Sequence, residues 1–92
     1  MMRPIVGEPI VSTKLLLKLM NIKEKFGEKV KMLREKKGIS IEHLANISDV
    51  DRNYISEIEK GKRNVSIEII EKIINSLDSD LMTFFNDKKF TK

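Results

Sequence analysis

Cysteine and tryptophan are absent from the 92-residue chain, and histidine and tyrosine occur once each. Without thiols there is no disulfide, no thiolate nucleophile and no cysteine zinc site, and the lone His43 cannot build a multi-histidine metal centre. No metal and no cofactor are expected, and the pattern fits a reducing cytoplasm. Long apolar runs are missing too. The most apolar stretch, residues 15–17 with Leu19 and Met20, is interrupted by Lys18, preceded by Lys14 and followed by no small-residue cleavage site, which argues against a signal peptide or a membrane span. No pair of carboxylates is framed by a pocket motif, so the acidic residues read as solvated faces and no enzyme chemistry is expected.

What remains suits one ordered domain. The 40% hydrophobic and 35% charged shares fit a globular fold, and with only four Phe the core must be filled mainly by aliphatic residues. The net charge of +4 favours a polyanionic partner without deciding for DNA.

Helical punctuation is regular from Ile22 onward. Ile22, Phe26, Val30 and Leu33 form a stripe along a charged segment that stops at Gly38, the left-handed residue expected to close a first helix. Ser40 can cap a second helix, with Ile39 outside it stapled onto Leu44. The same pairing recurs at Val50-Asp51 with Ile55, and at Val65-Ser66 with Ile70. Gly61 ends the third helix, and Ile67, Ile70, Ile74 and Leu77 are expected to form the buried face of the fourth. A short fifth helix follows Ser79 or Asp80, running through Leu81 to Phe85.

The first 21 residues differ in kind. Pro4-Ile5-Val6-Gly7-Glu8 is nearly repeated as Pro9-Ile10-Val11-Ser12-Thr13, and the prolines disfavour helix, so an extended arm is expected there, leading to a helix from about Lys14. Met20 is an alternative start of translation.

Ser40 to Gly61 carries the functional signal. A helix of about two turns, the tight turn Ser48-Asp49-Val50 and a second helix follow without slack, with small Ala45 where the helices cross and Asp49 at a position that must often be left-handed. The run GISIEHLANISDVDRNYISEIEKGKRNVS resembles the Cro and phage-repressor type (XRE) of helix-turn-helix domain over residues 26 to about 85. DRNYISEIEKGKRN is closer still to the controller proteins of restriction-modification systems. The chain departs from the family in having Ile41 where Gln usually braces the DNA backbone, and Asp49 where Gly or Asn is usual. The resemblance implies an all-α, five-helix lambda-repressor-like DNA-binding domain at residues 22–86, with an N-terminal extension at 1–21 and a polar tail at 87–92.

Steps of about 100° per residue put Ile55 and Ile58 inward and Asn53, Ser56, Glu57 and Lys60 outward, with Arg52 in the first turn. Arg suits guanine and Asn suits adenine in a major groove, so Arg52, Asn53 and Ser56 are the expected base readers. Two readings of Glu57 stay open, since its carboxylate accepts from cytosine N4 but repels phosphates. Tyr54 either reaches a phosphate or covers the core. Lys60, Lys62, Arg63 and Asn64, with exposed His43 near the DNA, are the phosphate grip; their bland alternative is cations offsetting a helix dipole.

The resemblance also implies a fold-locking ion pair between Arg34 and Glu59. Glu42 matches the acidic position that related activators turn toward RNA polymerase, though an acid there also favours a helix N-terminus. Leu81, Met82, Phe84, Phe85 and Ile74 are too many large apolar groups for one short helix to hide, so a homodimer reading an approximately palindromic site in double-stranded DNA is expected. The function expected is autoregulatory control of a restriction-modification operon. A phage repressor or an antitoxin is the second regulatory reading. A protein-binding module that has lost DNA contact is the alternative of another class, against which the Lys60–Arg63 cluster beside Arg52 and Asn53 argues.

Overall fold

The structure is a computed structural model that describes residues 20–91. Among the described residues five α-helices follow one another: α1 (Ile22–Lys37), α2 (Ile41–Ser48), α3 (Arg52–Glu59), α4 (Ile67–Ser76) and α5 (Leu81–Phe85); a 3-10 turn, Lys88–Phe90, comes last. There is no strand among the described residues. The expected arm and the helix from about Lys14 lie outside them.

Each helix begins on a side chain that accepts backbone N–H groups the helix cannot satisfy itself. Ser40 accepts from His43 N–H at 3.0 Å, Asp51 from Asn53 N–H at 2.9 Å, Ser66 from Ile69 N–H at 3.2 Å and Asp80 from Thr83 N–H at 2.7 Å. Asn21 and Glu24 form a reciprocal capping box on α1, which the periodicity alone does not signal.

The turns repeat one device. Gly38, Asp49, Gly61 and Asp78 all have positive φ, between 58° and 76°. At each, the next N–H reaches five residues back, as in Ile39 N–H to Arg34 O at 3.2 Å and Val50 N–H to Ala45 O at 3.1 Å. The α2–α3 turn is Asp49-Val50-Asp51, one residue later than the expected Ser48-Asp49-Val50. Ser48 stays in α2, its hydroxyl donating back to Leu44 O at 2.6 Å.

The core is built from Phe26, Val30, Leu44, Ala45, Val50, Ile55, Ile58, Ile73, Ile74, Leu77 and Phe84. Ile22 and Ile67, assigned inward by periodicity, are instead exposed, at 61% and 82%. Both occupy the first position of their helices, a turn ahead of residues that meet the core, and periodicity cannot mark where packing begins.

Two dimer assignments are corrected by the same burial. Ile74 and Phe84 are fully enclosed within the chain's own core and cannot belong to a surface. Phe84 sits 5.3 Å from Phe26, 4.9 Å from Phe85 and 5.9 Å from Phe90, ring centre to ring centre, so the terminal residues supply the cover that a partner was expected to give.

Residues 87–91 are accordingly not a free polar tail. Lys29 Nζ bonds Asp87 at 2.6 Å and Lys89 Nζ bonds Glu28 at 3.0 Å, fastening the last turn to α1. The Lys29 ammonium also lies 5.5 Å from the centre of the Phe84 ring. Lys29 holds the Asp87 carboxyl below its ordinary value, helped by the Lys89 N–H.

Candidate nucleic-acid interface

Helices α2 and α3 form a bihelical unit seated on the core by Leu44, Ala45, Ile55 and Ile58. Ala45, 7% exposed, leaves room for the two helices to cross, and Val50 fills the space beneath their turn. Asp49 adopts φ 58°, ψ 42°, a left-handed conformation that Asp tolerates better than most residues. The Asp51 carboxylate accepts both Asn53 and Tyr54 N–H groups, which fixes where α3 starts and how its first turn projects.

With Ile55 and Ile58 buried, the opposite face of α3 is directed outward. Arg52 and Asn53 are exposed at its N-terminal end, Ser56 and Glu57 are half-exposed, and Lys60 is exposed at its C-terminal end. Among the described residues no carboxylate lies within ion-pair distance of Arg52, Lys60 or Lys62, which leaves these charges available to an anion. Gly61 (φ 74°) turns the chain so that Lys62, Arg63 and Asn64 follow beside α3. Its Cβ position lies 2.7 Å from the Glu24 side chain and 3.0 Å from Glu24 Cα, so any other residue there would push against α1.

Tyr54 is more constrained than either sequence reading of it. Its hydroxyl donates to Asn64 O at 3.3 Å, and the Arg63 guanidinium lies 4.6 Å from its ring centre. The one proton it could offer a phosphate is committed inside the chain, so that contact requires a bond to be exchanged. Arg63 also donates from Nη1 to Glu57 at 3.1 Å. Helical periodicity misses this pair, because it spans the Gly61 turn rather than one helix.

His43 is exposed in the first turn of α2. Glu42, exposed beside it, lines a shallow polar cleft with Asn46, Asp49, Asp51 and Arg52 on the flank of the turn. Arg34 and Glu59 meet in a two-pronged ion pair, Nε to Oε2 at 2.6 Å and Nη2 to Oε1 at 3.0 Å. That bond, with the charge of Glu59, raises the Arg34 pKa above its ordinary value. Among the described residues no group of three His, Cys, Asp or Glu is placed to hold a metal, and no helix is long and apolar enough to cross a membrane.

Residues 30–84, which span these helices, match the helix-turn-helix family model. The chain belongs to the helix-turn-helix family. Within that family it groups with the restriction-modification control proteins. It is 48% identical over 68 residues to the control protein C.MunI of Mycoplasma sp, spanning 73% of this chain and 92% of that one. It superposes on the crystal structure of the controller protein C.AhdI from Aeromonas hydrophila with a TM-score of 0.66 at 41% identity, over 68% of this chain and 96% of that one. On C.Esp1396I, solved as a tetramer in complex with its natural 35 base-pair operator, the TM-score is 0.73 at 35% identity, over 79% and 99% of the two chains.

Proposed function

We propose that this helix-turn-helix protein is a sequence-specific DNA-binding transcriptional regulator that controls a restriction-modification operon by binding near its own promoter. The observation that carries this reading is the outward face of α3, where Arg52 and Asn53 are exposed and Ser56 half-exposed while Lys60, Lys62 and Arg63 flank them. Such a helix fits a major groove with its N-terminal half against base edges, and the flanking cations grip phosphates. The controller relative held on its operator supports the same reading. Glu42, acidic and exposed beside the turn, is proposed as the contact to RNA polymerase, and the site of action is the cytoplasm. Footprinting on the DNA upstream of the gene tests the reading, since protection of an approximately palindromic site is expected and its absence would refute it.

Reading and gripping separate by mutation. Arg52→Ala should cost about 1 to 3 kcal/mol on the protected site and little on a scrambled duplex, because only the former places a guanine, with its two acceptors, where the seated α3 brings Arg52. Lys62→Ala should weaken both and flatten the dependence on salt by about 1 per contact, because a phosphate does not depend on the base. Titrations at several salt concentrations distinguish the two, and an Arg52→Ala variant that loses both duplexes equally would reverse the assigned orientation of α3.

The proposed assembly is a two-fold homodimer. With Ile74 and Phe84 inside the core, the seam is reduced to Leu81 and Met82, 45% and 82% exposed, and the half-buried Phe85. Ile67, 82% exposed, is a further large apolar group that the described residues leave uncovered. Substituting both Leu81→Lys and Met82→Lys should leave the fold intact and convert a dimer to a monomer in sedimentation. A wild-type chain that is monomeric at concentrations saturating DNA would remove the proposal.

A further inference from the structure

Glu57 stands on the groove-facing side of α3, where an acid is costly beside phosphates, and the structure gives its carboxylate an occupation. Arg63 Nη1 donates to Glu57 Oε1 at 3.1 Å. The same guanidinium lies 4.6 Å from the centre of the Tyr54 ring, and the Tyr54 hydroxyl donates to the carbonyl of Asn64, the next residue. A side chain with many rotamers at the end of an exposed loop is thereby restrained by a ring beneath it and a carboxylate at one edge. Both partners are about half exposed, at 50% for the Arg63 side chain and 45% for Glu57, so the pair adds little to stability. A guanidinium carries five N–H donors in a rigid fork, and Glu57 takes one.

We propose that Glu57 is a positioning residue that sets DNA specificity through Arg63, rather than a reader of bases itself. The inference rests on the DNA-binding function proposed above and assigns within it the role of one acid. Paired with Glu57, Arg63 offers a weakened charge to phosphates at large, so a loosely placed duplex gains little from it. When α3 is seated in register, the remaining donors of the held guanidinium meet an acceptor on the DNA without a prior search among rotamers. The acid thus penalises unregistered complexes and spares the registered one, as repulsive elements do in other selective interfaces.

The test is a double-mutant cycle of Glu57→Gln and Arg63→Ala, read as affinity for the footprinted duplex and for a scrambled duplex of the same composition. In the wild-type background Glu57→Gln should raise affinity for the scrambled duplex about two- to fivefold, the range of an exposed charge pair, and leave the footprinted duplex no tighter. Discrimination then falls by that factor. In the Arg63→Ala background the same change should relieve repulsion on both duplexes alike and leave discrimination unaltered. Equal loss of discrimination in both backgrounds would overturn the proposal in favour of direct base reading, and no loss in either would show an idle surface pair. A wild-type protein that binds the two duplexes equally would refute the DNA-reading function itself and the inference with it. Glu57→Gln should leave the thermal midpoint unchanged, so any shift in discrimination is free of a folding effect.

Discussion

Glu59→Ala is expected to lower the free energy of unfolding in urea by about 3 to 5 kcal/mol, the cost of stranding one partner of a buried pair. The Arg34 and Glu59 side chains are only 11% and 5% exposed, and both oxygens of the carboxylate are engaged. Among the described residues Arg34 has one other partner, Ile39 O at 2.8 Å, which Nη1 alone reaches. Removing Glu59 leaves a guanidinium that cannot shed its proton, with its Nε and Nη2 donors unpaired in a site closed to most water. The pair links α1 to the end of α3, and the bond to Ile39 O adds the entry to α2, so one guanidinium ties together the elements that orient the reading helix. Replacing both partners, Arg34→Met with Glu59→Leu, should recover most of the loss, because no charge is left behind. An unchanged urea midpoint for Glu59→Ala would mean that water reaches Arg34 freely and that the pair does not lock the fold.

What could be read from the sequence here is largely local. Ser40, Asp51 and Ser66 cap helices because a short side-chain oxygen satisfies the N–H groups just after it, and Gly38 and Asp49 turn the chain because they tolerate left-handed backbone. These decisions involve neighbours within about five residues, so the residues themselves suffice. The outward placement of Arg52 and Asn53 follows from a period of 3.6 and the inward demand of Ile55 and Ile58.

The misplaced residues depend on contacts that sequence spacing does not contain. Counting large apolar groups against one short helix sends Phe84 and Ile74 to a dimer seam, although the spacing of α4 already places Ile74 on its buried face. Phe84 is covered in part by Phe90, which folds back through a 3-10 turn held by Lys29–Asp87 and Lys89–Glu28, partners 58 and 61 residues apart. The Glu57–Arg63 contact was invisible for a related reason, since it exists only because Gly61 reverses the chain. At Gly61 the turn itself was legible, whereas the rotamer that brings Arg63 over Tyr54 was not.

Gly27→Ala should destabilise the protein even though it favours the helix that contains it. In the interior of α1 alanine is the better helix former by about 1 kcal/mol, and the reading of the sequence as an amphipathic helix supplies no reason for glycine there. Packing supplies one. A Cβ built on Gly27 would lie 1.9 Å from Ile58 O, 3.0 Å from Ile58 C and 3.2 Å from Glu59 C, all of them backbone atoms of α3. No side-chain rotation relieves a clash with backbone, so α1 and α3 must separate. Overpacking of this kind costs about 1 to 3 kcal/mol, and the backbone on the opposing side puts this case at the upper end, beyond what helix propensity returns. Separation also moves Ile58 and Glu59, which anchor the inner face of α3 and the Arg34 pair, and so displaces Arg52 and Asn53 relative to the flanking cations. The variant should therefore show a lowered urea midpoint together with weakened binding to the footprinted duplex under conditions where circular dichroism reports it fully folded. A midpoint raised by the amount that propensity alone predicts would mean that α1 and α3 do not approach this closely, and that the seating of the reading helix rests on the ion pair and the apolar core without Gly27.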